Sequence, residues 1–422
     1  MARIGAMNPG AAPSPPLLDI EFVRSQFPAF EQSGLDGWAF FENAGGSYTS
    51  RQTIDRLHRF YTETKVQPYG PYPASKTAGQ QMDDAYVRLA GILNVGPDEV
   101  HIGPSTSQNT YVLAHAFRIG WADGDEIVVT NQDHEANSGV WRRLADTGIT
   151  VREWAIDPET GLLDPADLAP LISERTRLVA FPHCSNIIGY ENPVADICTM
   201  LTEAGVVSVV DGVSSAPHGL PDVAELGADI YLFSAYKTWG PHQGVMTVRR
   251  SVCDSLANQS HWFNNSSIRK RLVPAGPDHA QVAAMNGVVD YLDAVHEAHF
   301  DDGALPADRG RRVHDLIRAH ETALLTALLD FLASRDDVRI VGPATIERRV
   351  PTVAVLPNKN SSDVAADLAE HQVMAGSGHF YAMRVLDAMN IPTDPGVLRL
   401  SFVHYTTMNE IDQLITALDH TL

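Results

Sequence analysis

The chain has 422 residues, 44% apolar and 20% charged, enough to build two domains around a shared core and too apolar for a disordered chain. Its 31 basic and 52 acidic residues leave a net charge of −21, which argues against nucleic acid as a partner, since the run Arg269-Lys270-Arg271 reads as a solvated turn and not a phosphate-binding stripe. No apolar run approaches the roughly 18 residues of a membrane helix, and the three cysteines, Cys184, Cys198 and Cys253, lack CxxC spacing, which fits a reducing compartment and gives no metal signature.

In chain order, the Ala-, Pro- and Gly-rich stretch from Met1 to Pro16 lacks the apolar core of a signal peptide and reads as the leader of a cytoplasmic protein. Residues 1–34 are assigned to a leader or arm, 35–285 to a large domain and 286–422 to a smaller one. Between about 80 and 250 helices and short apolar strands alternate. Helices are expected at Met82–Leu93, Tyr111–Ala116, Ser138–Asp146 and Ile197–Ala204, the last capped by Gly205. Strands are expected at Glu126–Thr130, Thr150–Ile156, Leu178–Phe181, Val206–Val210, Ile230–Phe233 and Val245–Val248. This alternation means an α/β fold with a mostly parallel sheet covered on both faces. Beyond about 280 the pattern becomes α+β: helices at Ala283–His296, Arg311–Ser334 and Ser362–His371, strands at Val338–Val341, Thr352–Leu356 and Leu398–Val403, and a capping box, Thr407 with Glu410, before a last helix.

Ligands of open α/β sheets sit at the carboxyl ends of the strands. Asp211 follows the apolar run VVSVV, and a carboxylate there is costly unless it meets a cation. Lys237 follows the strand ending at Phe233, among Tyr236, Trp239 and Pro241, where partial desolvation lowers its pKa and frees the amine to attack a carbonyl. Taken singly, each has a plain reading, a turn aspartate and a snorkelling lysine. Together they supply what pyridoxal phosphate demands: a lysine for the Schiff base and a carboxylate that keeps the pyridine nitrogen protonated. The turn Gly103–Asn109 offers Ser105, Thr106 and Ser107 at a helix start for the phosphate. His134, after the strand EIVVT, is flat enough to stack on the ring and relay protons. Arg399 interrupts an apolar strand and suits a substrate carboxylate.

With these residues assembled, the chain resembles the class V aminotransferases, and within them the cysteine desulfurase-like branch. Ser234-x-x-Lys237-x-x-Gly240-Pro241 resembles the cofactor-lysine signature, and Val210-Asp211-Gly212 the aspartate motif. His183 to Gly189 resembles the asparagine segment, Arg399-x-Ser401 to Asp412 the carboxylate motif, and Glu42-Asn43-Ala44-Gly45-Gly46 the segment bordering the substrate. The resemblance implies the type I pyridoxal phosphate fold, a homodimer with active sites at the interface, an amino-acid substrate, cofactor contacts from Asn186, Ser214, Ser234 and Tyr236, and substrate contacts from Asn43 and His379. Where desulfurases of this branch carry their persulfide cysteine after a Gly-His pair, this chain reads Gly378-His379-Phe380-Tyr381, and a phenol cannot carry a persulfide. The expected reaction is therefore β-elimination from an S-substituted cysteine, with Lys237 as the base and His134 or Tyr381 assisting the leaving group. Transamination, epimerisation and decarboxylation-linked deamination use the same residues. A non-catalytic pyridoxal-fold protein would have no need to keep Lys237 beside Asp211, and a dinucleotide-binding fold would need a GxGxxG turn that is absent.

Overall fold

The computed structural model describes residues 16–300 and 302–422; the segment 1–15, most of the stretch read as a leader, lies outside them. The strands in chain order are β1 (Ala39–Phe40), β2 (Val100–Gly103), β3 (Glu126–Thr130), β4 (Thr150–Trp154), β5 (Thr176–Pro182), β6 (Val207–Asp211), β7 (Ile230–Ser234), β8 (Gly244–Val248), β9 (Val338–Ile340), β10 (Thr352–Pro357), β11 (Val373–Met374), β12 (Gly376–Gly378) and β13 (Val397–Ser401). Seven of them form one sheet in the order β2-β8-β7-β6-β5-β3-β4. The pairs from β4 through β7 are parallel, and β8 runs antiparallel to both β7 and β2.

The central strands are apolar in their middles because both faces are covered: Leu178, Val179, Ala180 and Phe181 of β5 and Ile230 to Phe233 of β7 have no exposure. Each fully buried Val, Leu, Ile or Phe side chain contributes about 1.5–3 kcal/mol. The helix Val194–Glu203 on one face ends as expected, with Gly205 at φ +68°. The remaining strands build an antiparallel sheet in the order β12-β13-β10-β9 and a parallel pair β1-β11. The helices Pro306–Ala333, Ser361–Glu370 and Met408–Thr421 surround them, and Thr407 and Glu410 close the last helix's capping box at 3.2 and 2.8 Å. Phe40 pairs with Met374, so the N-terminal segment is stitched into the C-terminal half.

Several boundaries differ from the expected ones for local reasons. The helix read from Met82 begins at Pro73, whose fixed φ suits a first turn. The helix read from Ser138 begins at Glu135, because His134 caps it: its Nδ1 accepts the Ala136 N–H at 3.1 Å. The helix read from Ala283 is two, His279–Ala284 and Asn286–His299. Strand β2 carries His101 within four residues and gave no apolar pattern.

One close approach ties the sheet to the turn that precedes the helix Thr106–Gly120. A Cβ on Gly244 of β8 would collide with the backbone of Ser105 and Thr106. Gly244→Ala is expected to lower stability by about 1–3 kcal/mol, the cost of overpacking a rigid contact, read as a fall in the urea midpoint.

Candidate active site

The carboxyl ends of β5, β6 and β7 open into a cavity of about 200 Å3. Ser105, Thr106, Ser107, His134, Asn186, Asp211, Ser214, Ser234, Tyr236 and Lys237 all line it, together with Cys184 and His242. The sequence reading therefore placed ten residues around one space.

Asp211 is the last residue of β6, paired in register with Leu232 of β7 and Pro182 of β5. Lys237 closes a single 3-10 turn immediately after β7. Adjacent parallel strands thus deliver a carboxylate and an amine to the same opening. Burial pushes the Asp211 carboxyl up to about 6, against the pull of the Val213 N–H, 2.9 Å from its Oδ1, and of Lys237. Burial, aided by the Arg399 charge, brings the Lys237 ammonium down to about 8, opposed by Asp211 and Glu42. A substantial fraction of the amine is then free near neutral pH.

His134 is held by its own cap. Because Nδ1 accepts a backbone N–H, the ring proton of the neutral form resides on Nε2. Burial and the charges of Lys237 and Arg399 bring its pKa down to about 4, so the ring stays neutral from about pH 5 upward. Behind it Asp133, unremarked in the sequence, accepts the Thr130 hydroxyl and, at 2.8 Å, the Asn137 amide. Burial pushes its carboxyl above the usual range, and its bonds to Thr130 and Asn137 anchor the turn that aims His134.

At the other end of the cavity Ser105 caps the helix Thr106–Gly120, accepting the Gln108 N–H at 3.2 Å. Thr106 Oγ1 and Ser234 Oγ lie 2.8 Å apart. His242 stacks on Tyr236 with ring centroids 4.8 Å apart and planes 4° from parallel, and forms a wall that no motif singled out. Asn186 donates Nδ2 to the Phe380 carbonyl at 2.9 Å, while its Oδ1 is buried with no partner among the described residues. A buried carboxyl, an amine of lowered pKa, a flat neutral ring, a helix start with three hydroxyls and an orphaned acceptor fit pyridoxal phosphate. Asp211 would hold the ring nitrogen, Asn186 Oδ1 the ring hydroxyl, Ser105 to Ser107 the phosphate and Lys237 the aldehyde carbon.

The expected substrate residues are placed differently. Arg399, on β13, is 3% exposed; its guanidinium lies 3.7 Å from the Phe380 ring centroid, and Nη2 donates to Glu42 Oε1 at 2.6 Å. Asn43 is buried with its amide committed to the Phe40 and Ser401 carbonyls and the Tyr405 hydroxyl; it borders a small side pocket that it shares with Ser214 and Lys237, not the main cavity. His379 accepts the Tyr381 N–H at 3.1 Å and does not border the cavity. Tyr381 is 69% exposed, with its ring 5.4 Å from that of His134, outside the cavity at its rim. Phe380 and Tyr381 take left-handed φ values of +48° and +59°, a strain of about 1–3 kcal/mol each. The bonds Asn186–Phe380 and Glu135–Tyr381, at 2.9 and 2.8 Å, hold that loop. Cys184 borders the cavity but is buried, and burial pushes its thiol far above the ordinary value, so no thiolate forms there.

A wider cleft of about 800 Å3 lies elsewhere, lined by Asp222, Asp308, Arg311 and His314 among others, but Arg311 is spent on the two aspartates. Among the described residues no group of His, Cys, Asp and Glu could hold a metal ion, and no helix is long and apolar enough to cross a membrane.

The Lys237 titration predicts how the cofactor-free protein takes up pyridoxal phosphate. Only the neutral amine attacks an aldehyde, so the uptake rate should rise about tenfold per pH unit below 8 and level off above it. Stopped-flow absorbance checks this; a rate flat from pH 6 to 9 contradicts it.

Comparison with known proteins agrees with this geometry. The family model for class-V aminotransferases matches residues 39–296 and 313–414. The chain is 34% identical to the aminotransferase-like protein FGM3 of Gibberella zeae over 96% of this chain and 98% of that one. It is 30% identical to the cysteine desulfurase-like protein ustD of Aspergillus flavus over 96% and 90% of the two chains. The apo structure of a cysteine desulfurase from Thermococcus onnurineus superposes with a TM-score of 0.83 at 22% identity, covering 96% of this chain and 98% of that one. The fold is thus the type I fold of pyridoxal phosphate enzymes, and pyridoxal phosphate is the cofactor. The chain belongs to the class-V aminotransferase family.

Proposed function

We propose that this enzyme is a C–S lyase, eliminating the sulfur substituent of an S-substituted cysteine to give a thiol, pyruvate and ammonia. The observation that carries the reading is the chemistry of the loop that faces His134. It presents a phenol, Tyr381, and the one thiol bordering the cavity among the described residues, Cys184, is buried and held protonated. An enzyme of this frame without a reactive thiolate has no acceptor for a sulfur atom, so sulfur leaves with its substituent attached.

Pyridoxal phosphate, when bound, supplies an electron sink conjugated to the substrate's α-carbon. Everything else falls to the chain. Arg399 and the rim at Phe380 orient the substrate by its carboxylate. The Asp211 carboxyl, buried at the end of β6, would hold a proton on the ring nitrogen. Lys237 Nζ, with a pKa near 8, takes the α-proton. The electrons released from the C–H bond form a Cα–Cβ double bond as the Cβ–S bond breaks. The Lys237 ammonium passes that proton on to the departing sulfur, to which neutral His134 donates an Nε2–H hydrogen bond, leaving neutral thiol, and water completes pyruvate and ammonia. Tyr381, at the mouth, shields that proton transfer from solvent.

We also propose that two copies pair across the face beside the phosphate turn. An apolar groove there is lined by Tyr111, Leu272, Val273 and Pro274, and His242 borders both this groove and the cofactor cavity. Trp262 and Phe263 stand 86% and 65% exposed on the adjoining segment.

The test is a panel of S-substituted cysteines assayed for free thiol and pyruvate together. The expected result is equimolar release, lost by about 10³-fold in Lys237→Ala and retained in Cys184→Ala. Keto acid with the sulfur still attached, and a cofactor left in its amine form, would instead indicate transamination and overturn the lyase reading.

A further inference from the structure

The carboxylate of Glu42 occupies the arginine that the substrate needs. Its Oε1 sits 2.6 Å from Arg399 Nη2, whereas its Oε2 is buried with no partner among the described residues. Arg399 is equally half-satisfied: Nη1 reaches the Asn186 carbonyl at a long 3.4 Å, Nε has no partner, and the Phe380 ring covers the guanidinium at 3.7 Å. The slot that holds Glu42 is made by two glycines. A Cβ on Gly45 would lie 2.8 Å from Oε1, and one on Gly376 would lie 2.9 Å from Oε2. The Glu42 side chain is nevertheless 29% exposed, so it has a way out toward solvent.

A buried ion pair with one orphaned oxygen is a poor ground state, because the desolvation of that oxygen goes uncompensated. A second carboxylate entering beside it would set two like charges against one cation. We propose that Glu42 is a displaceable surrogate for the substrate's carboxylate. It holds Arg399 in place while the site is empty and is exchanged, carboxylate for carboxylate, when substrate binds. Glu42 then determines specificity: a ligand enters this subsite only if it brings a carboxylate strong enough to replace the one already there, and neutral ligands are refused. The exchange forms one ion pair and breaks one, so the net charge on the arginine is unchanged. Glu42 is a positioning residue in this account, acting through Arg399 and touching no reacting atom.

This inference rests on reading Arg399 as the substrate-carboxylate fork, and one experiment separates the two. The cofactor-loaded full chain is titrated calorimetrically with propionate, which carries a carboxylate but no amine to react, and with propionamide as the neutral control. Glu42→Gln and Glu42→Ala, each checked for an unchanged circular dichroism spectrum, are expected to bind propionate at least tenfold more tightly than the parent, with propionamide unaffected. Arg399→Gln is expected to abolish propionate binding in the parent and in both Glu42 variants. A merely structural Glu42 would give the opposite sign, because losing a support for Arg399 weakens binding. If Arg399→Gln abolishes binding while the Glu42 variants bind propionate no better than the parent, the exchange is wrong and the fork stands. Propionate binding that survives Arg399→Gln overturns both.

Discussion

The structure depends on a cation and an anion forced out of water at the ends of two neighbouring strands. Asp211 and Lys237 are each buried, and burial moves each toward its neutral form, the acid upward to about 6 and the amine downward to about 8. Neither shift would be tolerated for stability alone, since a buried charge is costly unless fully paired. Both are useful to a cofactor that needs a protonated ring nitrogen at one end and a free amine at the other. The parallel pairing of β6 with β7 fixes their spacing, and the apolar strands behind them keep water from relaxing it.

The remaining polar residues make that arrangement rigid. The segment Phe41 to Ser47 threads between the two halves, tied by the Phe41–Met374 and Asn43–Ser401 backbone bonds and by the Tyr405 hydroxyl on Asn43. Trp239, directly after the lysine turn, has no exposure and packs edge-on against Tyr291 and His404 at 5.3 and 4.7 Å. The lysine is thus anchored on its solvent-remote side, while the loop at Phe380 and Tyr381 holds two strained residues at the mouth. Strain at the entrance and close packing behind is the division expected of a site whose geometry must persist through turnover.

Much of this was legible from residue order. The alternation of apolar strands with helices specified the sheet, and the positions just after EIVVT, VVSVV and IYLF located His134, Asp211 and Lys237, because strand ends in such sheets face one opening. The ten cofactor-side residues share that opening for the same reason. What escaped lies in contacts between distant segments. Asn43 and Glu42 are neighbours on a short strand exit, so their side chains face different ways; the first serves as an internal strut and the second reaches Arg399, 357 positions along the chain. Strands β1, β11 and β12 have two or three residues each and leave no period to read. Asp133 and His242 carry no local signal, since their roles come from burial beneath His134 and stacking on Tyr236.

The central claim is that one amine among all the lysines bonds the cofactor, because Lys237 is the lysine that lines the cavity shaped for the ring, where burial lowers its pKa. Borohydride reduction of the pyridoxal phosphate-loaded protein followed by peptide mass mapping tests it directly. The account predicts one pyridoxyl group per chain, on the peptide containing Lys237. Label spread over exposed lysines with Lys237 unmodified would contradict it.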